Sequence, residues 1–272
     1  MKPAHNELIQ DPAAGMSGFL IAANAYIKAQ TNGYTDLSKA EKKFQQTKAF
    51  IGMELVPNTR RLALMNCLLH GMEGGKEGVV LQGNTLGEEG KKLPLAKLIL
   101  SNPPFGTSRG GGMPERKFPH PTSNKQLAFL QHIYLGLKSG GRAAVVLPDN
   151  VLFESGIGVE IRKDLMEKCN LHTILRLPTG IFYAHGVKTN VLFFQKGTPD
   201  KPRQRTHCTT QVWVYDLRTN MPSFGKRTPF NETHLEPFEK AYGDDPNGQS
   251  SRVNEGKNGR FVVLIEITFT QN

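Results

Sequence analysis

The feature that most limits what this chain can fold into is Asn102-Pro103-Pro104-Phe105, set at the close of the apolar run Leu95 to Leu100. Two successive prolines fix φ and remove two backbone donors, and Asn102 is held out of the helical region by Pro103. A strand closed by so stiff a turn leaves the Asn102 amide and the Pro103 carbonyl directed outward, with Phe105 beside them. An amide oxygen and a carbonyl can together accept both hydrogens of one exocyclic amino group. An aromatic ring can stack on the base that carries that group. Alone, the same residues also describe an ordinary turn after a strand.

The same grammar repeats upstream. Glu7 to Gln10 leads into Asp11-Pro12-Ala13-Ala14-Gly15-Met16-Ser17-Gly18-Phe19, and Leu20 to Ala29 carries helix-forming residues at helical spacing. Strand, glycine-bearing turn and helix bring a ligand close to the backbone N–H groups of a helix start. Ala13, Ala14, Gly15 and Gly18 permit that approach, and the pattern differs from the GxGxxG of dinucleotide sites. A second apolar run, Ala49 to Leu55, closes on Glu54. An acid at the end of the second strand of a doubly wound sheet can accept hydrogen bonds from a ribose diol. The helix expected from Asn58 to His70 has Leu62, Met65, Leu68 and Leu69 at core spacing, with His70 read as structural and Gly71 as the stop. A third strand, Val79 to Gln82, runs into Gly83-Asn84-Thr85-Leu86, and the fourth, Lys97 to Leu100, into the Asn102 turn. Each polar candidate therefore stands at a strand's carboxyl end, where open α/β sheets bind their ligands.

Downstream, Gly106 to Asn124 reads as an irregular loop with Gly110-Gly111-Gly112, three prolines and the cations Arg109, Arg116 and Lys117. Too long for a plain connector, it either closes over a nucleotide or touches phosphate, or is a disordered loop with incidental charge. Gln126 to Leu137 predicts an amphipathic helix stopped by Gly140-Gly141, followed by a strand over Ala143 to Leu147. A helix over Val159 to Cys169 and a strand over Thr173 to Leu177 precede an expected hairpin, with arms Asn190–Gln195 and Gln211–Asp216 joined by a basic loop. The texture changes after Leu217, so the expected division is 1–217 and a loop-rich extension over 218–272, ending in the β-prone run Phe261 to Ile267.

A chain of 272 residues can bury a full α/β core. A formal charge of +10 and a pI near 9.5 point to a polyanionic partner, most simply nucleic acid. Cys67, Cys169 and Cys208 are scattered without metal-ligand spacing and read as reduced thiols. No apolar run reaches the roughly 18 residues of a membrane span. The amino terminus lacks a signal-peptide pattern, so the expectation is a cytoplasmic protein.

Taken in order, these stretches resemble the modification (M) subunits of type I restriction–modification systems, adenine-specific DNA methyltransferases that use S-adenosylmethionine. The resemblance rests on Asp11 to Phe19, Gly52-Met53-Glu54, Met65 to Gly71, Asn102 to Phe105, and Leu177-Pro178-Thr179-Gly180-Ile181-Phe182 through Gly186 to Asn190. It implies a Rossmann-like methyltransferase fold with a mixed, mostly parallel sheet, helices on both faces and a C-terminal hairpin. It implies that Asp11, Ala13, Gly15, Gly18 and Phe19 line the cofactor's methionine end, Glu54 its ribose and Asn84 its adenine. Asn102 and Pro103 would hold the amino group of a flipped adenine in double-stranded DNA, Pro104 would stiffen the turn and Phe105 would stack on the base. Specificity (S) and restriction (R) subunits are the implied partners, with no metal and no membrane.

The sequence departs from the family where Met16-Ser17 replaces Thr or Ser followed by Gly, and where Asn84 replaces Asp. The family's N-terminal helical domain and its C-terminal helical part are not matched, which makes a catalytically silent cofactor- or DNA-binding module a rival expectation. A protein-glutamine methyltransferase is a further one, since the same Asn-Pro-Pro turn serves such enzymes.

Overall fold

The computed structural model describes residues 1–105, 114–182, 187–255 and 261–266. Arg109 with the Gly110-Gly111-Gly112 run, Gly186 and Ile267 lie outside the described residues. The chain forms two compact units, Met1–Val145 and Val146–Asn272.

The first unit contains β1 (Ile9–Asp11), α1 (Gly18–Gln30), α2 (Lys39–Thr47), β2 (Phe50–Glu54), α3 (Pro57–Leu69), β3 (Val80–Gln82), β4 (Ala96–Ser101) and α4 (Lys125–Gly136). It also takes most of β5 (Leu137–Pro148). Its strands run in the order β3-β2-β1-β4-β5, every neighbouring pair parallel. Ile9 pairs on one side with Phe50 and on the other with Leu98. The chain builds outward from β1 to β3, then returns to add β4 on β1's other edge, so the order reverses between β1 and β4. That reversal creates the crevice in which such sheets bind ligands. Ile9, Leu20, Ala23, Ile27, Val80 and Leu98 pack beneath it in one core.

Two sequence expectations are corrected here. Leu62, Met65, Leu68 and Leu69 of α3 are exposed, and the helix instead turns Ala63 and Cys67 inward. Small side chains one helical turn apart let the helix lie close to the sheet, and periodicity alone does not say which face does so. Likewise Gly140-Gly141 does not stop α4, which ends at Gly136. The glycine pair lies in β5, where the pairing jumps from Ala96↔Leu137 to Leu98↔Arg142. A Cβ on Gly141 would stand 2.9 Å from the Ala96 carbonyl oxygen, so the bulge requires glycine there.

The second unit holds the end of β5, then α5 (Asn150–Phe153), α6 (Ile157–Lys168), β6 (Cys169–Arg176), β7 (Thr189–Lys196), β8 (Gln211–Asp216), α7 (Glu236–Tyr242) and β9 (Phe261–Glu266). The expected hairpin arms do not pair with each other: β6 lies between them, antiparallel to β7 and parallel to β8. The antiparallel partner of β8 is β9. Both arms are apolar and β-prone, and such a strand carries no mark of which neighbour it will take. Phe238 and Tyr242 of α7 pack on Phe193 of β7, with ring centroids 5.8 and 5.3 Å away. Arg218 forks onto Asp149 at 3.0 and 2.7 Å, and Asn190 donates to the same carboxylate at 2.6 Å. These bonds hold the Asp149 carboxyl below its usual range despite partial burial.

Candidate active site

The turn leaving β1 is fastened from three sides. The Ala13 N–H donates to Asp11 Oδ1 at 3.0 Å, the Ala14 N–H to the Met53 carbonyl at 3.0 Å and the Gly15 N–H to Glu54 Oε2 at 3.0 Å. From below, the Thr85 hydroxyl donates to the Pro12 carbonyl at 2.5 Å. Gly52 lies so close under the turn that a Cβ there would come within 2.8 Å of the Ala14 Cβ. Above it the space is open, since a Cβ added at Gly15 or Gly18 would meet nothing within 4 Å. The backbone turns through the left-handed region at Gly15 (φ +52°) and again at Ser17 (φ +68°) before α1 begins at Gly18. Met16 points out to solvent and Phe19 is partly exposed on the first turn of α1.

Glu54 uses both carboxylate oxygens on backbone, Oε2 on Gly15 and Oε1 on the Val56 N–H at 2.8 Å. It therefore ties the end of β2 to the turn leaving β1, and each oxygen retains a second lone pair for a hydroxyl donor. Asn84 stands after β3 with its Oδ1 accepting the Leu86 N–H at 3.1 Å. The Leu86 carbonyl in turn accepts the Arg116 N–H at 3.2 Å. Part of the stretch read as an irregular loop is thus ordered. Phe118 is buried against Leu86, Ala128 and Phe129. His120 is held at both its N–H and its carbonyl by the Gln131 amide, at 3.0 and 2.8 Å. Arg116 Nη1 meets His132 Nδ1 at 3.0 Å, and burial, helped by the Arg116 charge, lowers the His132 pKa to about 3, leaving a neutral ring.

The Asn102 turn joins this arrangement through Ser101, the buried last residue of β4, whose hydroxyl donates to Asp11 Oδ1 at 2.9 Å. The bond crosses the reversal between β1 and β4. Burial pushes the Asp11 carboxyl up to about 7, against the hydrogen bonds from Ala13 and Ser101, and the Glu54 charge pushes the same way as burial. The Asn102 Oδ1 is buried without a hydrogen-bond partner among the described residues. Pro103 is buried, Pro104 exposed and Phe105 half-buried. The Pro104 carbonyl accepts from Gln126 Nε2 at 3.1 Å, so the first turn of α4, capped by the Asn124 side chain, anchors the proline pair.

The sequence-predicted residues thus fall along the carboxyl ends of β1, β2, β3 and β4. Asp11 is linked to the Asn102 turn by Ser101, Gly15 to Glu54 directly, and the Asn84 segment to the turn leaving β1 through the Thr85–Pro12 bond. Sequence reading missed Ser101, Thr85, Gln126 and Gln131. Ser101 had a visible signal, a lone hydroxyl interposed between an apolar strand and the Asn-Pro-Pro turn. Nothing local marked the two glutamines, whose partners lie 22 and 11 residues away in sequence.

Comparison with known proteins bears on family and fold. The chain matches the family model described as N-6 DNA Methylase over residues 1–267. It is 63% identical over 255 residues to the methylase subunit of the type I restriction enzyme EcoKI of Escherichia coli K12, covering 93% of this chain and 48% of that protein. The crystal structure of the EcoKI M protein superimposes with a TM-score of 0.90, over 93% of this chain and 53% of that one. A class I S-adenosylmethionine-dependent methyltransferase fold from Listeria monocytogenes, 16% identical, superimposes with a TM-score of 0.52 over 77% of this chain and 58% of that one. The chain therefore spans about half the length of the E. coli methylase subunit that it matches.

Proposed function

We propose, from the premise that the chain belongs to the N-6 DNA Methylase family, that its residues 1–217 carry the catalytic part of an adenine-specific DNA methyltransferase using S-adenosylmethionine. The observation that supports this reading most directly is the Asn102 Oδ1 just after β4, buried and without a hydrogen-bond partner among the described residues. An unsatisfied buried acceptor is unfavourable by about 1–3 kcal/mol, and a donor arriving there recovers it. The open space over Gly15 and Gly18 fits a ligand laid along the turn. Asp11, Ala13, Gly15, Gly18 and Phe19 would hold the cofactor's methionine end, Glu54 its ribose hydroxyls and Asn84 its adenine. Bound there, S-adenosylmethionine supplies an electrophilic methyl group on sulfur.

The chain's own contribution is grip and alignment. A duplex hides the adenine amino group, so the base must be flipped out. Asn102 Oδ1 and the Pro103 carbonyl then accept its two N–H bonds and turn the nitrogen lone pair toward the cofactor crevice, while Phe105 stacks on the ring. Pro104, tied to Gln126, keeps the grip from relaxing. Fixing two reactants in line is a large source of rate enhancement by itself. The Ser101–Asp11 bond ties the proposed base grip to the proposed cofactor turn.

Double-stranded DNA is the proposed substrate, the specificity and restriction subunits of a type I complex are the proposed partners, and the cytoplasm is the proposed location. Among the described residues no helix is long and apolar enough to cross a membrane. Radiolabelled methyl transfer to adenine-containing duplex DNA, with a glutamine-bearing protein acceptor alongside, tests the reading. Label in DNA is expected, with Asn102→Ala lowering the rate about 100-fold or more at unchanged cofactor affinity. Label only in the protein acceptor overturns it. The length relative to its relatives favours one second reading, a folded module that binds cofactor or DNA without turnover alone. Heat on titration with S-adenosylmethionine, with no label transferred, would identify it.

A further inference from the structure

The carboxyl ends of β5, β6 and β8 carry a surplus of positive charge. Arg218, just past β8, donates to Asp149 at the end of β5 and, at 3.0 Å, to the Leu177 carbonyl at the end of β6, so one guanidinium draws three strand ends together. Arg176 meets Asp216 at 3.2 Å across the parallel pair β6 and β8. Each of these two carboxylates is therefore already matched by an arginine. Neither 176–190 nor 217–231 contains an aspartate or glutamate, and the two stretches add Lys188, Lys226 and Arg227. All three side chains are exposed and make no ion pair among the described residues.

The turn that carries Lys226 and Arg227 is held in place from below. Phe224 is buried, its N–H donates to the Thr179 carbonyl at 3.2 Å, and it lies so close over Gly180 (φ +85°) that a Cβ there would strike the Phe224 carbonyl. The Phe230 and His234 rings meet the Phe224 ring edge-on, with centroids 5.1 and 4.9 Å away. Between these anchors the Gly225 N–H donates to the Thr228 carbonyl at 3.0 Å and the Thr228 N–H to the Gly225 carbonyl at 3.2 Å, which closes a tight turn with Lys226 and Arg227 at its tip. The Leu177–Phe182 motif, which neither the base grip nor the cofactor turn uses, thus seats this turn. A backbone ordered in advance loses less entropy when its side chains are engaged.

We propose that the Lys226-Arg227 turn, with Lys188 on the same edge, is an arm that grips the sugar-phosphate backbone of double-stranded DNA outside the flipped nucleotide. Exposed cations matched by no carboxylate suit a polyanion, and phosphate contacts of this kind fix the register and orientation of a duplex without reading its sequence. The inference rests on the reading of duplex DNA as the substrate and adds to it the surface that would hold the duplex.

The test measures duplex DNA binding by fluorescence anisotropy across a salt series for the unsubstituted chain and two double variants. One is Lys226→Ser with Arg227→Ser. The other, Lys201→Ser with Arg203→Ser, removes two exposed cations from the loop joining β7 to β8, which lies at the amino ends of β6 and β8. Each engaged phosphate contributes about 0.9 to the slope of log affinity against log salt. The turn variant is expected to flatten that slope by about two, and the loop variant to leave it unchanged, with both melting temperatures within about 1 °C of the unsubstituted chain because all four side chains are solvated. An unchanged slope in the turn variant, or an equal flattening in the loop variant, overturns this inference and leaves the substrate reading standing. Salt-independent binding or no binding of DNA by the unsubstituted chain overturns the substrate reading, and this inference with it.

Discussion

Asp11 is under two opposing demands. It is buried at the end of β1, which favours the neutral acid, while Ala13 and Ser101 donate to it, which favours the anion; burial wins and its pKa rises to about 7. The unfolded value is about 3.9. Below about pH 4 both states are protonated and no stability difference arises from this group. Between about pH 4 and 7 the folded protein keeps the proton that the unfolded chain has lost, so stability falls as pH rises and levels off above 7. Three units correspond to about 4 kcal/mol as an order of magnitude. Both hydrogen bonds fall on the same oxygen, Oδ1, so an amide can keep them. Asp11→Asn is therefore expected to raise the melting temperature at pH 8, by a margin that shrinks toward pH 4; a margin independent of pH would contradict this. If Asp11 receives the cofactor's ammonium group, cofactor affinity in the unsubstituted protein should climb about tenfold per pH unit below 7 and then level off, readable by calorimetry. Asn102 was legible as a candidate from Asn-Pro-Pro-Phe alone. Its unpartnered oxygen was not, because satisfaction of an acceptor depends on residues brought near it by folding.

Within single elements, the turn between β1 and α1 is where sequence and backbone conflict. Ser17 holds φ at +68°, in the left-handed region, as the N-cap of α1. A side chain there costs about 1–2 kcal/mol. Ser17→Gly is expected to raise the melting temperature by about 2–4 °C for roughly 1 kcal/mol gained, and a lowered value would show that the hydroxyl matters more than the strain. Gly52→Ala should do the reverse. Its methyl would meet the Ala14 Cβ at 2.8 Å, a clash expected to cost about 1–3 kcal/mol and to weaken cofactor binding by displacing the turn. The two glycine effects were unequally visible: Gly15 and Gly18 stand in an obvious motif, whereas Gly52 is one residue in an apolar strand. Its need for hydrogen instead of methyl exists only because β1 and β2 lie side by side.

For the whole molecule, a net charge of +10 predicts that DNA binding will be carried largely by phosphate contacts. Fluorescence anisotropy with duplex DNA should show affinity falling about 10³-fold between 50 and 200 mM salt if about six phosphates are engaged. A flat salt dependence would mean that the excess charge serves something else. Sequence alone placed the candidate residues at strand ends, because a polar residue closing an apolar strand must lie where that strand leaves the sheet. Asp11, Glu54, Asn84 and Asn102 were each recognisable on that ground. Tertiary structure alone decided which of those ends face one another, through the Ser101–Asp11 and Gly15–Glu54 bonds, and which face of α3 meets the sheet. It also decided that β6 separates the two strands expected to form a hairpin. The reason is common to all of these. Periodicity and turn chemistry act between residues a few positions apart, whereas pairing, facing and satisfaction depend on which distant surfaces exclude water together.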